Sequence, residues 1–398
     1  MKKGSAFILY LIAVISITGC KVPYNPPATT AVSNYLVVEG LINITDSTYI
    51  KLSRTVNISS AAALKPELKA TLTIESNTGN SYALTELGNG SYAAPPLNLS
   101  STNQYRLRIK TSNGSQYVSD FDQTKVSPPI DSITFKATTD LKIYANTHDP
   151  ANLTRYYRWD FTEAWEFHSN FDSQYVSDGL KISIRTPAQQ IFDCYTGDAS
   201  NNIALGTSIQ LSQDVITGAL VNTIAPDVEK IGVKYSILVK QYALTKEAYD
   251  YWTLLQKNTE QLGSIFDSQP SASIGNIHGV TNPAEIVIGY ISAGTVTSNR
   301  IFIVKKTQLP NWLTTPFYSI CDADSLDCCP PPGSAPNTHP PTTNEYVNFN
   351  SPFFLSYSLL QIPIYPVIGS TGPGWLAANA SCVDCTLRGS KTPPAYWK

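Results

Sequence analysis

The sequence has few charged residues: Asp, Glu, Lys and Arg together make up 15% of its 398 residues, against about 25% in a typical soluble protein. The 28 basic and 30 acidic residues leave a formal net charge of −2. A protein that binds nucleic acid through a basic field is therefore excluded. Disorder along the whole chain is not expected either, because 42% hydrophobic and 11% aromatic residues suffice to build cores. The length predicts about two or three domains.

Short catalytic and metal-binding motifs are also missing. The sequence has no GxSxG elbow, no Walker phosphate-binding loop and no GxGxxG after a strand. The histidines, His148, His168, His278 and His339, belong to no HExxH or other short zinc pattern, so no metal or other cofactor is predicted. A protein without enzymatic activity is favoured. A glycoside hydrolase remains an alternative, because its two carboxylates need no recognisable motif.

Long hydrophobic runs are absent beyond the first twenty residues, so no transmembrane helix is predicted after them. The run Ala6–Ile15 is apolar but short, which fits the core of a signal peptide covering residues 1–19. It is followed by Ile17-Thr-Gly-Cys20, which resembles the bacterial lipobox. Cys20 is therefore predicted to carry a lipid, with residues 20–33 as a proline-containing tether. The alternative is an ordinary signal peptide followed by a structural cysteine.

After the tether, short segments with alternating apolar and polar residues are separated by turn residues. This pattern predicts an antiparallel β-sandwich over residues 34–126, of immunoglobulin-like or transthyretin-like type. In one segment Leu107 and Ile109 alternate with Arg106 and Arg108. Because side chains alternate between the two faces of a strand, we expect the first pair to be buried and the arginines to face water.

The run Ser127-Pro-Pro-Ile130 interrupts this pattern, because proline cannot donate to a β ladder. It predicts the start of a second β-rich domain, which covers residues 127–306. One helix is predicted in this domain, near residues 245–261, and we expect its apolar stripe to pack onto the second β region. The stripe consists of Ala248, Tyr249, Trp252 and Leu255.

An aromatic segment in the second domain has two interpretations. The residues that carry it share one face of a strand at period two: Tyr157, Trp159, Phe161, Trp165 and Phe167. Such a row can be a stacking platform for sugar rings, or it can be the buried face of a core strand. Core packing is favoured, since aromatic side chains dominate β cores.

Residues 307–398 form a proline- and cysteine-rich segment for which little regular structure is expected. Apart from Cys20, the cysteines are Cys194, Cys321, Cys328, Cys329, Cys382 and Cys385. An even number in an exported chain predicts structural disulfides, with zinc ligation and free thiols as alternatives. We expect the last two cysteines to bond to the group between residues 321 and 329 or to each other. Cys194 is also a candidate, but its distance in sequence from the others leaves its partner open.

Several short segments, taken in order, carry a family resemblance. After the lipobox they are Tyr35–Gly40, Leu52–Arg54, Pro128–Ile133, Thr245–Trp252, Phe266-Asp267, Gly275–Ile277, Asn282-Pro283, Gly289-Tyr290, Cys382–Gly389 and Pro394–Trp397. In this order they resemble a family of Bacteroidetes lipoproteins catalogued as domain of unknown function 4249. The resemblance implies an outer-membrane lipoprotein whose relatives are often encoded beside TonB-dependent receptors. It supplies no catalytic residues.

The expected function is that of a non-enzymatic envelope lipoprotein, an accessory or binding partner of a TonB-dependent outer-membrane transporter in nutrient uptake. The alternatives are a secreted hydrolase of glycans or peptides, and a structural or adhesion protein of the envelope. A facing pair of partly buried carboxyls would favour the hydrolase, and an exposed aromatic strip would favour binding. Many surface-exported lipoproteins of that phylum carry acidic residues close behind the lipidated cysteine, and none directly follows Lys21 here. Whether the protein lies on the periplasmic or the cell-surface side therefore stays open.

Overall fold

The computed structural model describes residues 34–56, 64–177, 182–260, 275–312, 321–327, 361–369 and 372–397. The predicted signal peptide, Cys20 and the tether up to residue 33 lie outside these residues, and so do Cys328 and Cys329. Predictions about them therefore remain predictions.

β-strands make up most of the regular structure, which confirms the prediction of a mainly β fold. Numbered along the chain, the strands are β1 (Leu36–Asn43), β2 (Thr48–Arg54), β3 (Lys65–Pro66), β4 (Thr71–Ser76), β5 (Ser81–Gly88), β6 (Ser91–Ala94), β7 (Gln104–Lys110), β8 (Gln116–Ser119), β9 (Asp122–Gln123), β10 (Ile130–Ala137), β11 (Leu141–Asp149), β12 (Tyr156–His168), β13 (Tyr175–Ser177), β14 (Ile182–Ile184), β15 (Asp193–Ala199), β16 (Ala204–Thr207), β17 (Asp214–Ile224), β18 (Lys234–Leu244), β19 (Ile277–Gly279), β20 (Val287–Ile288), β21 (Ser292–Gly294), β22 (Val296–Val304), β23 (Asp324–Asp327), β24 (Gln361–Gly369) and β25 (Gly372–Asn379). The α-helices are α1 (Lys246–Glu260), α2 (Lys305–Gln308) and α3 (Ala380–Val383).

The first sheet contains β1 to β9, and its strands follow the order β19-β8-β7-β4-β5-β6-β2-β1-β20. The pairs along the path from β8 to β1 are antiparallel. Their apolar faces meet in one core, to which most of these strands contribute, for example Leu36, Ile50, Leu72, Tyr92 and Leu107. A sheet that folds over so that its strands share one core has the layered packing of a sandwich.

Strand β7 has the predicted register. Leu107 and Ile109 are buried, whereas Arg106 and Arg108 are partly exposed on the opposite face. Both arginines pair with Glu75 of the neighbouring strand β4, with Arg106 Nε 2.7 Å from the carboxylate. Opposite charges on adjacent strands stabilise the solvent-facing side of the sheet. The alternation of residue types alone therefore determined which side is buried.

The second β region has a core of its own. Strands β10, β11 and β17 form one sheet, and β15, β12, β18 and β22 form another, with β16 beside β12. The row of aromatic residues that begins with Tyr157, Trp159 and Phe161 faces this core, and these three side chains are buried. The Trp159 indole donates a hydrogen bond to Gln241 Oε1 at 2.9 Å. Core packing, the favoured interpretation of the aromatic segment, is confirmed.

The hydrogen bonding departs from the predicted domain division in one segment. Residues 277–294, which we assigned to the second domain, return to the first sheet. There β20 and β21 run parallel to β1, and β19 pairs with β8. Ile277, Val287 and Ile291 are buried in the first core. The spacing of apolar residues identifies a strand but does not indicate which strand it pairs with. For this reason the sequence pattern assigned residues 277–294 to the wrong domain.

Gly289 lies between β20 and β21 and allows the chain to pass close to β1. Its φ is +136°, and a Cβ placed there would lie 2.1 Å from the carbonyl oxygen of Val38. Gly79 also has a positive φ, of +90°, but nothing lies within 4 Å of its Cβ position. Substitution of Gly79 would therefore introduce backbone strain alone, whereas substitution of Gly289 would introduce both strain and steric overlap.

We expect Gly79→Ala to lower the free energy of unfolding by about 1 kcal/mol, the cost of a left-handed conformation. Gly289→Ala should cost about 3 kcal/mol or more, because the backbone of β1 must also move. Urea unfolding of both variants provides the comparison. Equal losses of unfolding free energy would show that β1 moves away from residue 289 without a further cost.

Helix α1 occupies the predicted residues and packs onto the second β region, with one correction to its buried face. Ala248 is buried, and the Tyr249 ring lies 5.0 Å from that of Tyr156 on β12. The second buried residue is Tyr251, which was not part of the predicted stripe. Trp252 and Leu255 are only half-buried. Because the helix contacts the sheet on one side and Tyr290 on another, its covered surface is wider than a single stripe.

The C-terminal segment is more regular than expected. β23, β25 and β24 form an antiparallel sheet of three strands in that order. Pro363 and Pro366 are tolerated because β24 is an edge strand, where a residue without an N–H can face away from the ladder. Buried Ile362, Ile364 and Val383 give this sheet a small core. The expectation of little regular structure was wrong for the described part of this segment.

Candidate functional site

An open cleft of about 680 Å³ lies between strand β1 of the first sheet and the outer face of the β12–β18–β22 sheet. Helix α1 borders one side. The lining residues are Val37, Val38, Glu39, Gly40, Leu41, Asn43, Asp46, Ser47, Tyr49, Arg158, Asp160, Lys240, Tyr242, Tyr251, Trp252, Leu255, Ile288, Gly289, Tyr290, Val296 and Ser298. Its size falls within the range of small-molecule sites, about 300–1,000 Å³.

The alternation of β12 explains which side chains reach the cleft. Because Tyr157, Trp159 and Phe161 face the core, the even-numbered residues between them face outward. Arg158 lies directly across from Tyr242 on β18, and Asp160 lies across from Lys240. Two cross-strand pairs thus place a guanidinium, a phenol, a carboxylate and an ammonium on one wall of the cleft.

The Arg158 guanidinium is held between two aromatic rings. Its central carbon lies 4.2 Å from the Tyr242 ring centroid and 4.3 Å from that of Trp252. One terminal nitrogen lies 3.4 Å from Asp160, while the buried Nε has no hydrogen-bond partner among the described residues. Burial and the nearby Asp160 carboxylate raise the pKa of Tyr242, so its phenol stays protonated. A stacked guanidinium keeps its planar edge available for a carboxylate or hydroxyl of a ligand.

Aromatic side chains also line other parts of the cleft. Tyr49 is 62% exposed. Tyr251 contacts both Trp252 and Tyr290, with ring centroids 5.6 and 5.4 Å apart. Gly40 lies on the opposite wall, so that the backbone of β1 approaches the cleft without a side chain. These side chains form an aromatic strip that is exposed to solvent at Tyr49. Such a strip is the feature that we expected of a binding protein.

The sequence did not reveal this cleft. The aromatic row it emphasised faces the core, and the functional candidates are the even-numbered residues beside it. The one available signal was the row Tyr156, Arg158 and Asp160, which mixes aromatic and charged residues on the outer face of the same strand. Nothing in the sequence indicated that β1 would form the facing wall, because that wall belongs to a different sheet.

A second cavity, of about 580 Å³, lies beside the helix start and contains several carboxyls: Asp120, Asp122, Glu247 and Asp250. Asp122 is only 7% exposed. It accepts a hydrogen bond from the Ala293 backbone at 3.0 Å and one from the Thr245 hydroxyl at 3.4 Å. Burial raises the pKa of Asp122 to about 6, although the Ala293 N–H acts in the opposite direction. Asp122 therefore links the first sheet to the start of α1 through a carboxyl that titrates close to neutral pH.

The raised pKa of Asp122 predicts a pH-dependent stability. The folded state holds this proton more tightly than the unfolded chain, whose carboxyl titrates near 3.8. The contribution to stability is therefore complete below about pH 4 and is lost as the pH rises through about 6. Relative to Asp122→Asn, the wild-type protein should lose about 2 kcal/mol of unfolding free energy between pH 4 and pH 7. Urea unfolding across this range measures the difference, and parallel profiles would contradict it.

A third cavity, of about 800 Å³, is lined by charged groups that pair with one another. Arg54 Nε lies 2.7 Å from Glu67, and its Nη1 lies 3.4 Å from Glu285. The Tyr117 hydroxyl donates to Glu285 at 2.8 Å. Because these charges are paired, the cavity is a weaker candidate for a ligand site than the aromatic cleft.

The candidate cysteines within the described residues, Cys194, Cys321, Cys382 and Cys385, all form disulfides. Cys321 is bonded to Cys382, with Cα atoms 5.8 Å apart, as one of the expected links. Cys385 is bonded to Cys194, with Cα atoms 5.7 Å apart. Cys194 was a candidate whose partner the sequence left open, and β15 carries it to the C-terminal segment. Phe167, directly across from Cys194, packs on this second disulfide.

Together, the fold and the cleft define a mainly β protein in which a sandwich and a second β region enclose a candidate ligand site. Among the residues that the structure describes, no helix is long and apolar enough to span a membrane. The family model described as "Domain of unknown function (DUF4249)" matches residues 21–300. The chain belongs to this family, as the ordered motifs indicated.

No curated protein matches the chain. Similar solved structures include a segment of two fibronectin type III domains from chicken tenascin, 11% identical over 53% of this chain and 91% of that chain, with a TM-score of 0.16. A cytokine receptor complex is 10% identical over 52% of this chain and 91% of that chain, with a TM-score of 0.18. Chitinase ChiA74 from Bacillus thuringiensis is 14% identical over 51% of this chain and 30% of that chain, with a TM-score of 0.15. At TM-scores this low, none of these similarities bears on the function of this chain.

Proposed function

We propose that this protein is a lipid-anchored, non-enzymatic binding protein of the outer membrane. In this proposal it serves a TonB-dependent transporter in nutrient uptake, and the aromatic cleft holds its ligand. The observation that carries the binding role is the cleft itself, with exposed Tyr49 and the stacked Arg158–Trp252 pair. The lipobox at Cys20 and the family resemblance support the location and the partner.

The chemistry of the cleft favours a ligand with flat apolar faces and polar edges. Aromatic rings stack on such faces, while Arg158, Asp160 and Lys240 provide charged donors and acceptors beside them. Sugar rings and planar side chains of peptides both fit this description. The walls belong to paired strands, so the site is largely formed before a ligand binds.

The partner is tested by affinity purification of the full-length lipidated protein from outer membranes of its native host. We expect a TonB-dependent transporter to be recovered in stoichiometric amounts, and Cys20→Ser to release the protein to the soluble fraction. Recovery of no transporter after chemical cross-linking would contradict the partner. Unchanged membrane association of Cys20→Ser would contradict the anchor.

The cleft is tested by binding measurements with a panel of oligosaccharides and peptides. Tyr49→Ala should weaken binding about 10-fold or more, because it removes an exposed ring of the site. Tyr365→Ala is the matched control, since this tyrosine also lies on a strand and is 51% exposed but does not line the cleft. Equal effects of the two variants would place the ligand elsewhere.

A hydrolase is the second candidate, and it rests on Asp122. A buried carboxyl with a pKa of about 6 beside other acidic groups has the properties of a general acid. If the protein hydrolyses glycans or peptides, Asp122→Asn should abolish the activity while leaving cleft binding intact. Retained hydrolysis in this variant would exclude Asp122 as the acid.

A further inference from the structure

Three metal-ligating side chains meet on the outer face of the second β region. Glu166 and His168 lie two residues apart on β12 and therefore share a face. Asp193 of β15 lies directly across from His168. One ligand atom from each of the three lies within 4.8 Å of the others, and His168 Nε2 is 3.0 Å from Asp193.

The third ligand distinguishes this cluster from ordinary ion pairs. The described residues include two other exposed His–Asp pairs, His148–Asp131 and His278–Asp120. Within the same part of the chain, neither of them has a further carboxylate or histidine close enough to complete a set of three. An isolated His–Asp ion pair is explained by the attraction between its two charges. A third converging carboxylate adds negative charge that a bound cation would neutralise.

We propose that Glu166, His168 and Asp193 bind a divalent transition-metal ion such as Zn²⁺ or Mn²⁺. One imidazole and two carboxylates are ligands that these ions accept, at about 2.0–2.2 Å from the metal. Ligand atoms around one ion then lie up to about 4.4 Å apart, so only small side-chain rotations are needed. Three protein ligands leave coordination positions open for water or for a group from a partner.

The surrounding structure holds the three residues in place. β12 and β15 are paired without interruption from Thr162–Ala199 to His168–Asp193. The Cys194–Cys385 disulfide lies next to Asp193, and the His168 ring stacks on Phe192 with centroids 4.5 Å apart. A site on paired strands is more rigid than one on loops, which favours metal binding over a random surface cluster.

This site is separate from the proposed ligand cleft. Arg158, in the cleft, and Glu166 lie eight positions apart on the same strand, which corresponds to about 26 Å. The inference therefore does not depend on the proposed function.

Titration of the tag-free full-length protein with Zn²⁺ and with Mn²⁺, followed by calorimetry, tests the proposal. We expect saturable binding of one ion. His168→Ala and Glu166→Gln should each weaken it about 10-fold or more. His148→Ala, which breaks a pair that lacks the third ligand, should leave it unchanged. Circular dichroism confirms that the variants remain folded. Absence of binding, or equal binding by His168→Ala and wild type, would overturn the proposal.

Discussion

Replacing both Cys194 and Cys385 with alanine should lower the free energy of unfolding by about 5 kcal/mol. The disulfide joins residues 191 positions apart, and a cross-link that closes so long a loop restricts the unfolded chain strongly. It also fastens the C-terminal segment to β15, where Phe167 packs on it. Urea unfolding of the oxidised proteins measures the loss.

The Cys321–Cys382 disulfide provides the matched comparison. Cys321 and Cys382 are 61 positions apart, so their replacement by alanine should cost about 4 kcal/mol in the same chain-entropy description. The longer loop is thus expected to contribute more. A loss below about 1 kcal/mol for the Cys194–Cys385 pair would show that this cross-link adds little to the packing around it.

Lys230→Met should lower the free energy of unfolding by about 3 kcal/mol, because it leaves a buried carboxylate without its cation. Lys230 pairs with Glu163, whose side chain is only 4% exposed, and Tyr235 donates a hydrogen bond to the same carboxylate at 2.6 Å. Glu163 faces the core because it shares the odd-numbered face of β12 with Trp159 and Phe161. Urea unfolding measures the loss, which should be far larger than the cost of removing both charges.

A double-mutant cycle separates the cost of the uncompensated Glu163 carboxylate from the contribution of the Lys230–Glu163 pair itself. Glu163→Gln in the Lys230→Met background should recover most of the lost stability, because no uncompensated charge remains. Additive losses in the double variant would show that the pair contributes nothing to stability.

Local patterns predicted much of the fold. Period-two alternation identified β7 and its buried face, and helical spacing located α1 within one residue of its observed ends, Lys246 and Glu260. These features depend on which side of an element is apolar, and neighbouring residues in the sequence determine that. The C-terminal sheet was missed because its prolines, Pro363 and Pro366, are typical of loops although an edge strand accepts them.

The sequence by itself determined that the chain is mainly β, which strand faces are buried, and that cysteines of the C-terminal segment would pair. Only the tertiary structure decided which distant segments meet. Residues 277–294 return to the first sheet, Cys194 reaches Cys385, and β1 faces Arg158 and Trp252 across the cleft. The physical reason is that side-chain periodicity acts over a few residues, whereas strand partners and sites are selected by the packing of the whole chain.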